Sequence, residues 1–235
     1  MCGRYTSITP VTDLARYVGV DEVSAEDADP RYADPRYNVA PTEEVPAVAV
    51  SGGRRTLGML RWGLVPPWAD DPRVGSRMIN ARSESVLDKP AFRRAYSRRR
   101  CLMPADGFYE WRVEADGSGR RPWYFRHTRD EPLALAGVWE SWRSEDDRSG
   151  ARERLVSCAI LTTTANPTVA PVHHRMPVVI EPEAWEAWLD PEVDGAELRH
   201  LLAPAPAGLL QATPVRPLVN AVANDGPALI EPSVG

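Results

Sequence analysis

The sequence predicts a mixed α/β (α+β) fold: one domain with a curved, mostly antiparallel, barrel-like β core and helices at its periphery. Three observations predict it. Apolar runs of strand length recur along the chain, helical stretches between them are few, and no linker or composition break divides the 235 residues. A chain of this length buries a sizeable core.

The elements follow in order. Thr9-Pro10 opens a short helix, with Thr9 as its cap, Pro10 in the first turn, and Leu14 and Val18 on one face. Residues 20–37 are acidic and loop-like. There Asp29-Pro30-Arg31-Tyr32 is echoed by Asp34-Pro35-Arg36-Tyr37, too briefly for a repeat architecture. Asn38-Val39-Ala40-Pro41-Thr42 leads into a strand over 45–50, which Gly52-Gly53 turns back into a second strand over 56–64. Arg61-Trp62-Gly63-Leu64-Val65-Pro66-Pro67-Trp68 ends that hairpin in a stiff loop, and Met78-Ile79-Asn80-Ala81-Arg82-Ser83-Glu84 follows. Asp88 and Pro90 open a helix containing Phe92 and Tyr96, which ends in Arg98-Arg99-Arg100.

A buried strand starts at 101–103 and leads to Gly107-Phe108-Tyr109-Glu110-Trp111. Further strands are expected at 123–126, 133–139 and 155–164, with a Gly-rich charged turn at 114–121 and a polar excursion at 143–153. A loop through Asn166-Pro167 reaches Val172-His173-His174-Arg175-Met176-Pro177 and then a strand over 178–180. Pro182 begins a helix with Trp185, Trp188 and Leu189 on one face. A second short helix spans 195–202, and 209–215 reads as the last strand. The domain is taken as 2–228, leaving 229–235 as a tail expected to lack fixed structure.

Composition narrows the function classes. Hydrophobic residues make up 43% and charged residues 26%, an ordinary soluble balance. No apolar run approaches the ~18 residues of a membrane span, and no basic-then-apolar leader is present, so no membrane partner is expected. Cysteines 2, 101 and 158 are odd in number and far apart, which argues against a disulfide framework and fits a reducing cytoplasm. The net charge of −5 means that a nucleic-acid ligand requires a local positive patch. Residues 73–100 carry nine basic side chains against Glu84 and Asp88, a local balance of +7. For Arg93, Arg94 and Arg98 to Arg100 a solvated helix face explains that run as well as a ligand surface does. Lys89 is the only lysine. Arginine dominance, with abundant Ala and Pro, fits a GC-rich genome, so arginine position is more informative than arginine number.

Chemistry concentrates first at Cys2. Met1 before so small a residue is expected to be removed, and an exposed Cys2 then offers two nucleophiles, an α-amine near ~7.7–8 and a thiol near ~8.5. Together they can capture one aldehyde: the amine forms a Schiff base, and the thiol closes a five-membered thiazolidine. The thiolate could instead attack an acyl group, and a frayed chain end without a role is the plainest alternative. Glu110 sits among aromatic neighbours at the end of an apolar strand, where desolvation favours a neutral carboxyl suited to acid–base work. An edge glutamate facing water is the other reading. His173 and His174 precede Arg175 in a Pro-bounded loop. Asn80 lies between Met78-Ile79 and Arg82, as scaffold or as an orienting amide. No Cys or His pair has metal-ligand spacing and no Gly-rich phosphate loop occurs, so no metal or nucleotide cofactor is expected.

Taken together, Met1-Cys2-Gly3-Arg4-Tyr5, the 38–42 run, Arg61-Trp62-Gly63-Leu64, Asn80-Ala81-Arg82-Ser83-Glu84, the 107–111 run and His173-His174-Arg175-Met176-Pro177 resemble, in order, the SOS response-associated peptidase family. The match extends to Asn224-Asp225-Gly226-Pro227. The resemblance implies capture of abasic sites in single-stranded DNA through a thiazolidine at Cys2. It implies that Asn80 orients the adduct, that Glu110 is the acid–base of Schiff-base formation, and that His173, with His174 as an alternative, helps open the sugar and reverse the link. It places Arg4, Arg82 and Arg175, with Trp68 and Trp111, on phosphates and bases. A monomer is expected, in the cytoplasm and at the nucleoid when bound to DNA. Arginine with tryptophan independently suits single strands, charge following the backbone and rings stacking on bases. A cysteine peptidase acting at its own N-terminus and a non-covalent reader of modified DNA are the competing classes.

Overall fold

The structure is a computed structural model and describes residues 2–20, 22–23, 34–117, 119–144 and 154–233. Parts of the acidic stretch and of the polar excursion predicted above, with Met1 and the last two residues, lie outside the described residues.

In chain order the strands are β1 (Tyr5–Ser7), β2 (Glu22–Val23), β3 (Arg36–Val39), β4 (Glu44–Ser51), β5 (Arg54–Trp62), β6 (Asn80–Arg82), β7 (Arg100–Ala105), β8 (Gly107–Val113), β9 (Arg120–His127), β10 (Leu133–Arg143), β11 (Arg154–Thr164), β12 (Arg175–Pro177) and β13 (Leu210–Pro214). Helix α1 (Val11–Tyr17) precedes β2, α2 (Pro90–Arg98) precedes β7, and α3 (Trp185–Leu189) follows β12. The α/β class with a barrel-like core stands. One sheet runs β13-β9-β8-β1-β3 and is antiparallel throughout. The other runs β12-β11-β10-β7-β4-β5-β2, and β6 joins it along β11. It closes on itself where β11 meets β5 in parallel, pairing Ser157 with Arg61 and Cys158 with Trp62. Closure removes the open edges that β5 and β11 would otherwise present.

Alternation along the closed sheet sorts its side chains into two cores. Ala134, Ala136 and Val138 of β10, Leu102 of β7 and Leu161 of β11 pack with Val11, Ala15, Tyr96, Trp185 and Trp188 of the helices. The intervening Leu133 and Leu135, Cys101 and Met103, and Cys158 and Ile160 pack with Cys2, Tyr5, Phe108 and Phe125 from the second sheet. The sheet therefore has a helix face and a face turned toward the N-terminus. A period of two produces both cores from one set of strands.

Several local expectations are corrected. Thr9 does not cap α1; its hydroxyl and backbone N–H both donate to Asp106, and the helix has no side-chain cap. Asp88 likewise leaves α2 uncapped, with Lys89 at the cap position. The strand expected at 178–180 forms earlier, as β12, where Arg175 to Pro177 pair with Thr164 to Thr162 of β11, and Val179 keeps an isolated antiparallel bridge to Leu135. The tail expected to be loose from 229 is held through Ser233: Leu229 is buried, and the Ser233 N–H donates to the Pro214 carbonyl at 2.9 Å. The Gly52-Gly53 turn is as expected, with both φ values positive, 59° and 78°, as a two-residue hairpin turn requires. Gly63 has a further reason to be glycine. A Cβ there would stand 2.6 Å from the Gly75 carbonyl, so backbone-to-backbone contact closes the loop that carries Trp68.

Candidate active site

β1 builds the site. It lies between β8 and β3, Tyr5 pairing with both Phe108 and Val39. The Tyr109 N–H extends the β8 pairing by donating to the Arg4 carbonyl at 3.0 Å. Tyr5 is fully buried, its ring 5.3 Å from that of Trp62, a contact of the kind worth about 0.5–1.5 kcal/mol beyond its area. A chain end is ordinarily the loosest part of a domain. Here the anchoring of β1 carries Cys2 into the core with 0% of its surface exposed.

Asn80, the first residue of β6, reaches Cys2 from the closed sheet. Its Nδ2 donates to the Cys2 carbonyl at 2.8 Å, and its buried Oδ1 has no hydrogen-bond partner among the described residues. β6 is held against β11, with Asn80 opposite Ile160. Glu110 on β8 is 2% exposed, and burial pushes its carboxyl from 4.5 up to about 7. Burial, and then the Glu110 charge, push the Cys2 thiol well above its ordinary value. The thiol therefore stays protonated at neutral pH, while Glu110 is available there in both its acid and base forms.

His173 also lies near Glu110, its Nδ1 3.8 Å from Oε1. The Arg175 N–H points at that same Nδ1 at 3.0 Å, and the Arg175 carbonyl lies 3.1 Å from it. A neutral ring accepting from the N–H carries its proton on Nε2; a ring protonated at Nδ1 finds the carbonyl instead. Burial lowers the His173 pKa, with His174 and Arg120 acting in the same direction, so the neutral ring dominates near pH 7. The His174 ring is 4.5 Å away and exposed.

The structure thus brings Cys2, Asn80, Glu110 and His173 together and divides the remaining predicted residues. Trp68 is 63% exposed and Arg82 is exposed. Arg4 is bonded inside the protein, donating to Asn38 Oδ1 at 2.7 Å and the Val219 carbonyl at 2.9 Å. Trp111 Nε1 donates to Asn220 Oδ1 at 2.7 Å. Arg175 is buried and grips Glu84 with both terminal nitrogens, at 2.5 and 2.9 Å. Arg98 to Arg100 end α2 and begin β7, with α2 packed on the helix face away from the Cys2 core. Sequence reasoning gave no role to Glu84 or to Asn38, whose amide donates to the Ala221 and Asn224 carbonyls at 3.0 and 2.8 Å. Glu84 lies in the turn Ser83–Ser85 after β6, where no strand periodicity marks it.

The family model described as SOS response associated peptidase (SRAP) matches residues 1–222. The chain is 37% identical to the abasic site processing protein YoqW of Bacillus subtilis, covering 98% of this chain and 99% of that protein. It is 30% identical to the abasic site processing protein HMCES of Gallus gallus, over 99% of this chain and 78% of that one. An X-ray structure of a Bacteroides thetaiotaomicron protein superposes with a TM-score of 0.87 at 24% identity, covering 99% of this chain and all of that one, a likeness of fold.

Proposed function

From the premise that the chain belongs to the SOS response associated peptidase family, we propose that it processes abasic sites in DNA, capturing them in single strands as a thiazolidine on Cys2. The observation that carries this reading is the burial of Cys2 beside a carboxyl poised at about 7, with Asn80 holding its carbonyl.

The steps follow from the groups present. Removal of Met1 frees the Cys2 α-amine. An abasic sugar opens to an aldehyde, and the amine adds to its C1′ to give a carbinolamine. Glu110 in its acid form protonates the departing hydroxyl, water leaves, and a Schiff base forms. The carboxylate so produced accepts the thiol proton as sulfur adds to the same carbon and closes the ring. The bonds formed are C–N and C–S, the carbon–oxygen bond is lost as one water, and Glu110 returns to its starting form. His173, neutral with its proton on Nε2, serves ring opening of the sugar and reversal of the adduct.

DNA contacts fall first to Arg82 and Trp68, the exposed members of the set, and then to Arg4, Trp111 and Arg175, which would meet the strand as groups fixed by their internal bonds. The protein would act as a monomer, in the cytoplasm and at the nucleoid. The test is a denaturing gel with abasic single-stranded DNA. It should retain a protein–DNA band whose intact mass is one water below the sum of its parts. Turnover of peptides without such a band would favour a peptidase, and binding without it a non-covalent reader.

A further inference from the structure

We propose that Glu84 is a positioning residue of this site: by gripping Arg175 it decides which nitrogen of His173 carries the proton. The inference rests on the reading above that His173 acts in opening and releasing the sugar.

Glu84 lies in the turn Ser83–Ser85 directly after β6, and Arg175 is the first residue of β12. The two strands flank β11 and meet at Thr162, which is opposite Arg82 on one side and Pro177 on the other. Arg175 Nη1 donates to Glu84 Oε1 at 2.5 Å and Nη2 to Oε2 at 2.9 Å, a bidentate, charge-assisted pair. Nη2 also donates to the Thr162 carbonyl at 2.5 Å. The Arg175 side chain is 9% exposed and that of Glu84 50%. A carboxylate thus reaches in from the surface and fixes a buried guanidinium across a strand. Glu84 is held below its ordinary range, first by the Arg175 hydrogen bonds.

The backbone of Arg175 is what His173 reads. Its N–H and carbonyl lie 3.0 and 3.1 Å from the same ring nitrogen. The two groups belong to the peptide units on either side of the Arg175 Cα, so a small change in φ or ψ at Arg175 brings the donor or the acceptor closer to Nδ1 and so favours one tautomer over the other. Without Glu84 the guanidinium charge is left buried on Thr162, a costly state that the chain relieves by moving Arg175. The cost of that movement falls on the ring proton of His173, and so on the step His173 serves.

The experiment uses the full-length processed protein with Glu84→Gln, Glu84→Asp and His173→Ala. Imidazole nitrogen NMR should find the wild-type His173 neutral with its proton on Nε2, and a mixture of tautomers in Glu84→Gln. Release of captured abasic DNA to excess competitor should slow by about 10-fold in Glu84→Gln, a fraction of what loss of a whole acid–base group costs. Glu84→Asp keeps the charge and should restore both readings. A single wild-type tautomer and wild-type release in Glu84→Gln would overturn the proposal. Tighter binding of undamaged single strands by Glu84→Gln, with the tautomer unchanged, would mark Glu84 as a stand-in for phosphate and also overturn it. Normal release by His173→Ala would instead remove His173 from the mechanism, a failure of the underlying reading that the NMR signal separates from a failure of Glu84.

Discussion

Arg100, on the helix face of the closed sheet, and the polar groups beside Cys2 are held in opposite ways. On the helix face, Arg100 is 3% exposed and donates five hydrogen bonds to carbonyls: Trp188 at 2.7 Å, Tyr96 and Ser97 at 2.8 Å, Val193 at 3.0 Å, and Asp190. Its charge is spread over the ends of α2 and α3, and no chemistry is left for it. Beside Cys2, the Asn80 Oδ1 has no hydrogen-bond partner among the described residues, and Glu110, on β8 of the facing sheet, is buried deeply enough to lose its preference for ionisation. Satisfied polar groups hold a fold together; groups held at a cost are available to a substrate. The comparison assigns structure to the first and reaction to the second.

The largest effect expected should come from the chain end itself. Retaining Met1, or placing one uncleavable residue before Cys2, removes the α-amine from reach of the aldehyde while leaving the thiol intact. The stable adduct should vanish on a denaturing gel. If the extended protein crosslinks as fast as the processed one, the amine plays no part and a thiol-only reaction takes its place.

Glu110→Gln tests both costs at once. An amide relays no proton, so adduct formation should slow by about 10²–10⁴. Stability should move the other way. The folded value of about 7 lies above the ordinary 4.5. Between them the folded chain keeps a proton that the unfolded chain releases, so stability falls as pH rises through that window and stays lower above it. Glutamine escapes the loss. Compared in the same N-terminal form, the variant should be more stable than wild type above pH 7 by up to about 3 kcal/mol, with the advantage gone below pH 4.5. Thermal melting across pH checks this, and a variant less stable at neutral pH would contradict the assigned burial cost.

Arg100→Met is the converse on the helix face. It removes the donors from five carbonyls, and a buried acceptor left without its donor typically costs about 1–3 kcal/mol. The midpoint in urea should fall accordingly, while adduct formation per folded molecule keeps its wild-type rate. A slowed reaction in the folded fraction would mean that the two faces are coupled.

Much of this division was legible in the sequence, and its gaps have physical causes. Strand-length runs and the Gly52-Gly53 turn gave the core, because a period of two and a positive φ leave local marks. β1 was missed because three residues near a terminus carry no periodicity; its pairing with β8 and β3 creates it. The motif residues Cys2, Asn80, Glu110 and His173 were named individually, yet their meeting depends on the pairing of β1 with β8 and of β6 with β11, which no window of sequence contains. Arginine roles were the least legible. Arg4, Arg100 and Arg175 look like surface charge in the sequence and are bonded inside the protein, since a guanidinium's partners are carbonyls and carboxylates distant in the chain.

The smallest effect expected sharpens the contrast between faces with single charges. Arg82 follows Asn80 on β6 and is exposed beside the site; Arg93 is exposed on α2, on the helix face. Each substitution to alanine removes one positive charge from a protein of net charge −5. A long-range field effect would therefore weaken single-strand binding equally in both variants. A phosphate contact acts locally: its loss removes the counterions it released, flattening the dependence of log affinity on log salt by ~0.7 for single strands. Arg82→Ala should show that flattening together with weaker binding, and Arg93→Ala should keep the wild-type slope. Fluorescence anisotropy over a salt series reads both. Equal slopes in the two variants would move the DNA path away from β6, leaving Trp68 and the internally bonded arginines to carry it.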